Sequence, residues 1–174
     1  MWYLLVIAML LMFCISQPPS QTYEKTLEVK SVFKNGERIP VKYTCEGENI
    51  SPPLKILNVK SGVKSFVIIC EDPDAPSGTF VHWIAWNITS TKIPEGIPKL
   101  KKVDEPIRMN QGRNDFNKIG YDGPCPPPGK PHRYYFKVYA LDTFLKGNYN
   151  KYNILEAIKG HVIQYGELYG LYGR

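Results

Sequence analysis

The chain has 174 residues, 43% hydrophobic and 22% charged, which makes it one domain by size with apolar material for a sizeable core. Its formal net charge of +6 is dispersed, Lys101-Lys102 being the densest pair, and this excludes the concentrated basic stripe on which nucleic-acid binding depends. Fifteen prolines, fourteen glycines and twelve tyrosines argue against long helices and for many turns and short strands.

The first segment differs in kind from the rest. Met1 to Ile15 is almost purely apolar, and Ser16-Gln17-Pro18-Pro19-Ser20-Gln21 breaks the run. It is long for the apolar part of a signal peptide and short for a membrane span. We read residues 1–21 as an export signal or an uncleaved anchor with a short linker, touching the membrane through residues 1–16 if it stays. Residues 22–174 then form the folded domain, secreted or held at the outer face of the cell membrane. Cys14 lacks the small residues that precede a lipidated cysteine.

Thr26–Lys34 and Val41–Thr44 carry strand patterns joined by the turn dipeptide Asn35-Gly36. Glu48 to Leu54 is polar and broken by Pro52 and Pro53, so it reads as a loop. Lys64–Cys70 reads as a buried central strand and Phe80–Ile88 as its aromatic partner. Between them lies Asp72-Pro73-Asp74-Ala75-Pro76, where two prolines without amide protons force the chain out of the ladder. That places Asp72, Asp74 and His82 together at one end of a hairpin. Residues 90–130 are long, irregular and proline-rich, which in a compact domain usually marks function. Arg133–Leu141 alternates as a strand. Tyr152–Lys159 has helical spacing with a stop at Gly160, and Val162–Arg174 fits either a second short helix or a strand. The expected fold is mostly β, an antiparallel sandwich with one or two peripheral helices near the C-terminus.

Three cysteines remain once Cys14 is set aside. Cys70 ends an apolar run and reads as a small buried hydrophobe. Cys45 and Cys125 lie in Gly- or Pro-rich loops, and an oxidising compartment permits them to pair, although spacing alone does not decide it. No Gly-x-Ser-x-Gly nucleophile elbow occurs, and the three histidines have no metal-ligand spacing, so neither a nucleophilic enzyme nor a metal or cofactor is expected. Two glycosylation sequons, at Asn49 and Asn87, are read as without function: Pro52 disfavours the first, and the second falls in a strand.

The motifs Asp72-Pro73-Asp74-Ala75-Pro76 with His82, Gly120-Tyr121-Asp122-Gly123-Pro124, and His132-Arg133-Tyr134 resemble, in that order, the phosphatidylethanolamine-binding protein family over residues 25–174. The short spacing before His82 and the Gly-Tyr-Asp-Gly-Pro-Cys-Pro-Pro-Pro-Gly run look like its bacterial and archaeal branch. Eukaryotic members often carry a second histidine where this chain has Val81. The resemblance implies a central antiparallel sheet flanked by a second sheet, and a small anion pocket formed by Asp72, Asp74, Pro76, His82, Gly120, Tyr121, Gly123, Pro124 and His132. A carboxylate near His82 is expected to favour the imidazolium, and amides of the Gly120–Gly123 turn to add donors to an anion. Arg133 has two readings, pairing with a pocket acid or forming a structural ion pair. The implied function is a binding or inhibitory module that takes a phosphate-like anion or phospholipid headgroup and docks a protein such as a serine protease. The alternative is a small hydrolase or lipid-transfer protein using the same pocket.

Overall fold

The computed structural model describes residues 23–174; the expected leader or anchor over residues 1–21 lies outside them. Nine strands follow one another: β1 (Glu28–Lys30), β2 (Leu54–Leu57), β3 (Ser65–Asp72), β4 (Phe80–Ile88), β5 (Lys92–Ile93), β6 (Lys102–Val103), β7 (Met109–Gln111), β8 (His132–Leu141) and β9 (Val162–Tyr172). One short helix, α1 (Ile154–Ile158), precedes β9. The strands form two antiparallel sheets, a small one in the order β1-β2-β5 and a large one in the order β6-β7-β4-β3-β8-β9. This is the expected β-dominated sandwich.

β3 reads as an apolar run from Phe66 to Cys70 because both its faces are covered there. Phe66, Ile68 and Cys70 point into the core between the sheets, with Trp83, Phe136, Leu54, Ile56 and Ile93. Val67 and Ile69 point the other way, into a second core with Trp86 and Tyr139, roofed by Leu145, Ile154 and Ile158. Each fully buried isoleucine contributes about 1.5–3 kcal/mol, so these two layers hold the central strands in place. Cys70 is fully buried, and that burial pushes its thiol well above the ordinary range.

Two expectations change. The Asn35-Gly36 turn exists, but its arms do not pair with each other. β1 keeps only three residues and pairs with β2, while Val41–Tyr43 is a single 3-10 turn. Pro40 has no amide to extend a ladder, and Gly36 and Ile39 donate instead to the Tyr169 and Leu171 carbonyls of β9. The ambiguous tail is a strand paired along the whole of β8. Gly166 and Gly170 occupy core-facing positions, which removes the apolar alternation a strand normally shows. A Cβ at Gly166 would lie 2.5 Å from the Leu27 carbonyl oxygen, and one at Gly170 would lie 2.4 Å from Ile39 Cγ1.

Cys45 and Cys125 form a disulfide with a Cα–Cα distance of 5.4 Å. It clips the loop after the 3-10 turn to the proline run that precedes β8.

Candidate functional site

The site lies where β3 and β4 leave the large sheet. After Asp72 the chain turns through Pro73, and the Asp74 amide donates to Asp72 Oδ1 at 2.8 Å. On the way back, β4 carries one extra residue. Cys70 is opposite Trp83 but Glu71 is opposite Val81, so His82 sits in a β-bulge. A bulge re-aims a side chain, and here it brings the imidazole 5.2 Å from the Tyr134 ring, nearly perpendicular to it.

His82 is held by the backbone of a distant loop. Its Nδ1 is 2.7 Å from the Asp122 carbonyl oxygen, and the Asp122 amide donates to the His82 carbonyl at 3.1 Å. A carbonyl only accepts, so the proton resides on Nδ1, and in the neutral ring Nε2 presents a lone pair. The loop is fixed by the buried Asp122 carboxylate. It accepts from Asn49 at 3.0 Å, Asn114 at 2.9 Å and Lys99 at 3.1 Å. Burial works against its charge, but the bonds from Asn114, Lys99 and Asn49 and the Lys99 charge outweigh it, and the carboxyl lies below its ordinary value.

Facing His82, Asp72 Oδ2 accepts from His132 Nδ1 at 2.7 Å. These groups open on a cavity of about 240 Å³ whose walls include Pro76, Phe80, Phe116, Pro126 and Pro127. Its polar lining is Asp72, Ser77, His82, His132 and Tyr134. Tyr134 is wholly buried; its hydroxyl lies near the Asp72 carboxylate but makes no well-formed hydrogen bond to any described residue. Burial first, then the Asp72 charge, raises its pKa, so the hydroxyl keeps its proton and remains a donor.

Of the residues singled out from the sequence, Asp72, Pro76, His82 and His132 line this cavity together, and the others stand behind it. Asp74 is turned outward and receives the Arg133 amide, Nε and Nη2 at 2.9, 2.8 and 2.6 Å, so Arg133 meets an acid of the motif in a half-exposed pair outside the cavity. The amides expected to cradle an anion are occupied: Gly120 donates to the Gly112 carbonyl at 3.2 Å and Gly123 to Asn49 Oδ1 at 2.7 Å. Both glycines serve close packing, since a Cβ on Gly123 would lie 2.1 Å from the Tyr43 carbonyl oxygen and one on Gly120 3.1 Å from Lys99 Cα. Tyr121 is buried, with its hydroxyl on the Tyr43 carbonyl, and the Pro124 carbonyl accepts from the Cys45 amide beside the disulfide.

The protonation expectation also changes. Burial is the largest influence on His82 and lowers its pKa; the Asp122 carbonyl and the Asp72 charge oppose this but do not reverse it. The imidazole is therefore neutral at neutral pH rather than an imidazolium. Sequence reasoning missed Phe116, the Tyr134 hydroxyl and the Asp122 hub. Asp122 and Tyr134 lay inside motifs already singled out, whereas nothing in the sequence marks Phe116.

The family model for "Phosphatidylethanolamine-binding protein" matches residues 29–173. A UPF0098 protein of Archaeoglobus fulgidus is 64% identical over 151 residues, covering 86% of this chain and 52% of that protein, so the chain spans about half the length of that relative. A UPF0098 protein of Pyrococcus horikoshii is 62% identical over 153 residues, covering 86% of this chain and 77% of that protein. Among solved structures, a phosphatidylethanolamine-binding protein homologue of Chlamydia trachomatis superposes with a TM-score of 0.77 at 39% identity, covering 87% of this chain and 99% of that one. The E. coli protein YbcL, described as a new member of the mammalian family, gives a TM-score of 0.77 at 34% identity, covering 86% and 99%. With a family match across nearly the whole described domain and the same fold in these neighbours, the chain belongs to the phosphatidylethanolamine-binding protein family.

Proposed function

We propose that this protein is an exported, non-enzymatic binding protein that holds a small phosphate-like anion, free or as a phospholipid headgroup, in the His82 cavity, and acts by docking a protein such as a serine protease. The observation that carries the reading is the cavity itself, in which His82, His132 and Tyr134, whose hydroxyl makes no well-formed hydrogen bond, meet within one apolar-walled hollow. A buried polar group normally finds a partner, and an anion oxygen is one. The apolar walls around these few polar groups resemble small-ligand sites in general.

Export is supported by the Cys45–Cys125 bridge, a feature that oxidising compartments permit. Docking is supported by the Ile93–Arg113 segment, in which the loop between β5 and β6 holds Leu100 58% exposed between lysines. Calorimetric titration with inorganic phosphate, phosphorylethanolamine and phosphatidylethanolamine vesicles separates free anion from headgroup, and His82→Ala should abolish whichever binds. A panel of serine proteases assayed with both forms tests the docking. No binding of any of the three ligands would sink the anion reading, while turnover of a phosphoester that His82→Ala abolishes would make the protein a hydrolase.

A further inference from the structure

The outer face of the small sheet carries a row of like charges that folding does not explain. In the β1-β2-β5 register, Lys30 stands opposite Lys55, and Lys55 opposite Lys92. Residues directly opposite on adjacent strands share a face, with Cβ atoms about 4.5–5.5 Å apart, and like charges placed so are destabilising. All three lysines are exposed, while Val29, Leu54, Ile56 and Ile93 face the core. Glu28 lies 2.9 Å from Lys30. Lys55 and Lys92 have no acidic partner among the described residues.

The row lies in a groove of about 490 Å³. Ser31 and Val32 line it on the β1 side, Pro53 and Leu54 beside β2, and Ile93 and Pro94 on the β5 side. Val32 is 57% exposed, a large apolar side chain at the rim of a basic trough. The groove shares no residue with the His82 cavity.

We propose that this groove docks an extended acidic segment of a partner polypeptide. Charge selects the sign of the partner: an anionic chain relieves the repulsion within the row. Shape selects a single chain over a bilayer. The three lysines form a line only about 10 Å long, two inter-strand spacings, whereas an anionic membrane surface is met by clusters of about four to eight basic residues. Acidic side chains two residues apart on an extended segment stand about 7 Å apart on one face, within reach of neighbouring lysine ammonium groups. The residue between them faces away from the row, and an apolar residue flanking the acids can rest on Val32 and Pro94.

The test is fluorescence anisotropy with a labelled octapeptide of alternating glutamate and valine, and with its glutamine counterpart as the neutral control. The glutamate peptide is expected to bind, and to weaken as salt rises from about 20 to about 150 mM, because an exposed ion-pair interface is screened. Lys55→Gln should lower affinity roughly two- to fivefold and the Lys30→Gln/Lys55→Gln/Lys92→Gln variant by more than about tenfold, as expected for exposed pairs. The triple variant should melt close to the temperature of the parent, since it loses the repulsion within the row together with only one exposed ion pair, Lys30–Glu28. Undiminished binding by the triple variant, or equal binding of the glutamine peptide, overturns the proposal. So does lysine-dependent binding to vesicles containing about a third phosphatidylserine without binding of the peptide, which would make this face a membrane contact.

Discussion

The Asp74 amide donates to Asp72 Oδ1 at 2.8 Å, and the two carboxylates then engage consecutive residues of β8, Asp72 taking His132 and Asp74 taking Arg133. Because successive side chains of a strand point to opposite faces, one acid is directed into the cavity and the other to the surface. A two-carboxylate motif thus does two unlike jobs, orienting an imidazole inside and fastening the turn outside.

The outer pair gives an acid-sensitive contribution to stability. The Arg133 side-chain bond, more than any other influence, holds the Asp74 carboxyl down from 3.8 to about 2. A carboxyl depressed by folding contributes stability above its unfolded value and loses it as pH falls through the folded one. Asp74→Asn should therefore flatten the fall in unfolding midpoint between about pH 4 and about pH 2. Identical acid limbs in urea titrations of the two proteins would show that the pair contributes nothing.

Anion binding should be linked to proton uptake. Neutral His82 has its proton on the Asp122 side and offers only a lone pair to the cavity. An anion must therefore bring a proton or wait for one on Nε2. Phosphate affinity is expected to rise as pH falls from about 8 to about 5, by up to about tenfold per unit while the imidazole is still neutral. In the unliganded protein the depressed imidazole works in the matching direction, removing stability as pH falls below the ordinary 6.5. His82→Gln should remove the histidine's part of the pH dependence; calorimetry in two buffers of different ionisation heat measures the proton count.

Tyr134→Phe tests the unpartnered hydroxyl. Removing a buried donor that makes no well-formed hydrogen bond should leave the free protein as stable or up to about 1 kcal/mol more stable, while phosphate affinity falls about five- to tenfold. A clear loss of stability without ligand would mean that the hydroxyl already has a partner.

The disulfide couples stability to the cavity wall. It spans a sequence separation of 80, and on the chain-entropy model such a bridge contributes roughly 4–5 kcal/mol. Cys125 lines the cavity next to Pro126 and Pro127. Cys45→Ser/Cys125→Ser should lose most of that stability in urea unfolding and also bind phosphate more weakly. Weaker folding with unchanged affinity would show that the proline wall is positioned without it.

Much of the frame was readable because burial leaves a pattern. β3 is apolar from Phe66 to Cys70 because two cores enclose it there, and β8 alternates where its faces differ. The prolines around Asp74 announced a chain leaving a sheet. What stayed hidden depends on pairing rather than composition. The bulge at His82 exists only relative to the register of β3. A second bulge at Asn87 turns that side chain onto both backbone groups of Leu145, at 2.9 and 2.8 Å, which leaves its sequon without a free amide. A glycine in the sequence does not say whether its amide is free, and at Gly123 Asn49 has already claimed it.

Gly166 and Gly170 leave bare backbone on which Leu27 and Ile39 rest, so early residues of the domain lie against its last strand. The inter-sheet core therefore cannot close until residue 172 has left the ribosome, and pairings of such long sequence separation are slow to form. A chain stopped at Gly160 should stay unfolded by circular dichroism.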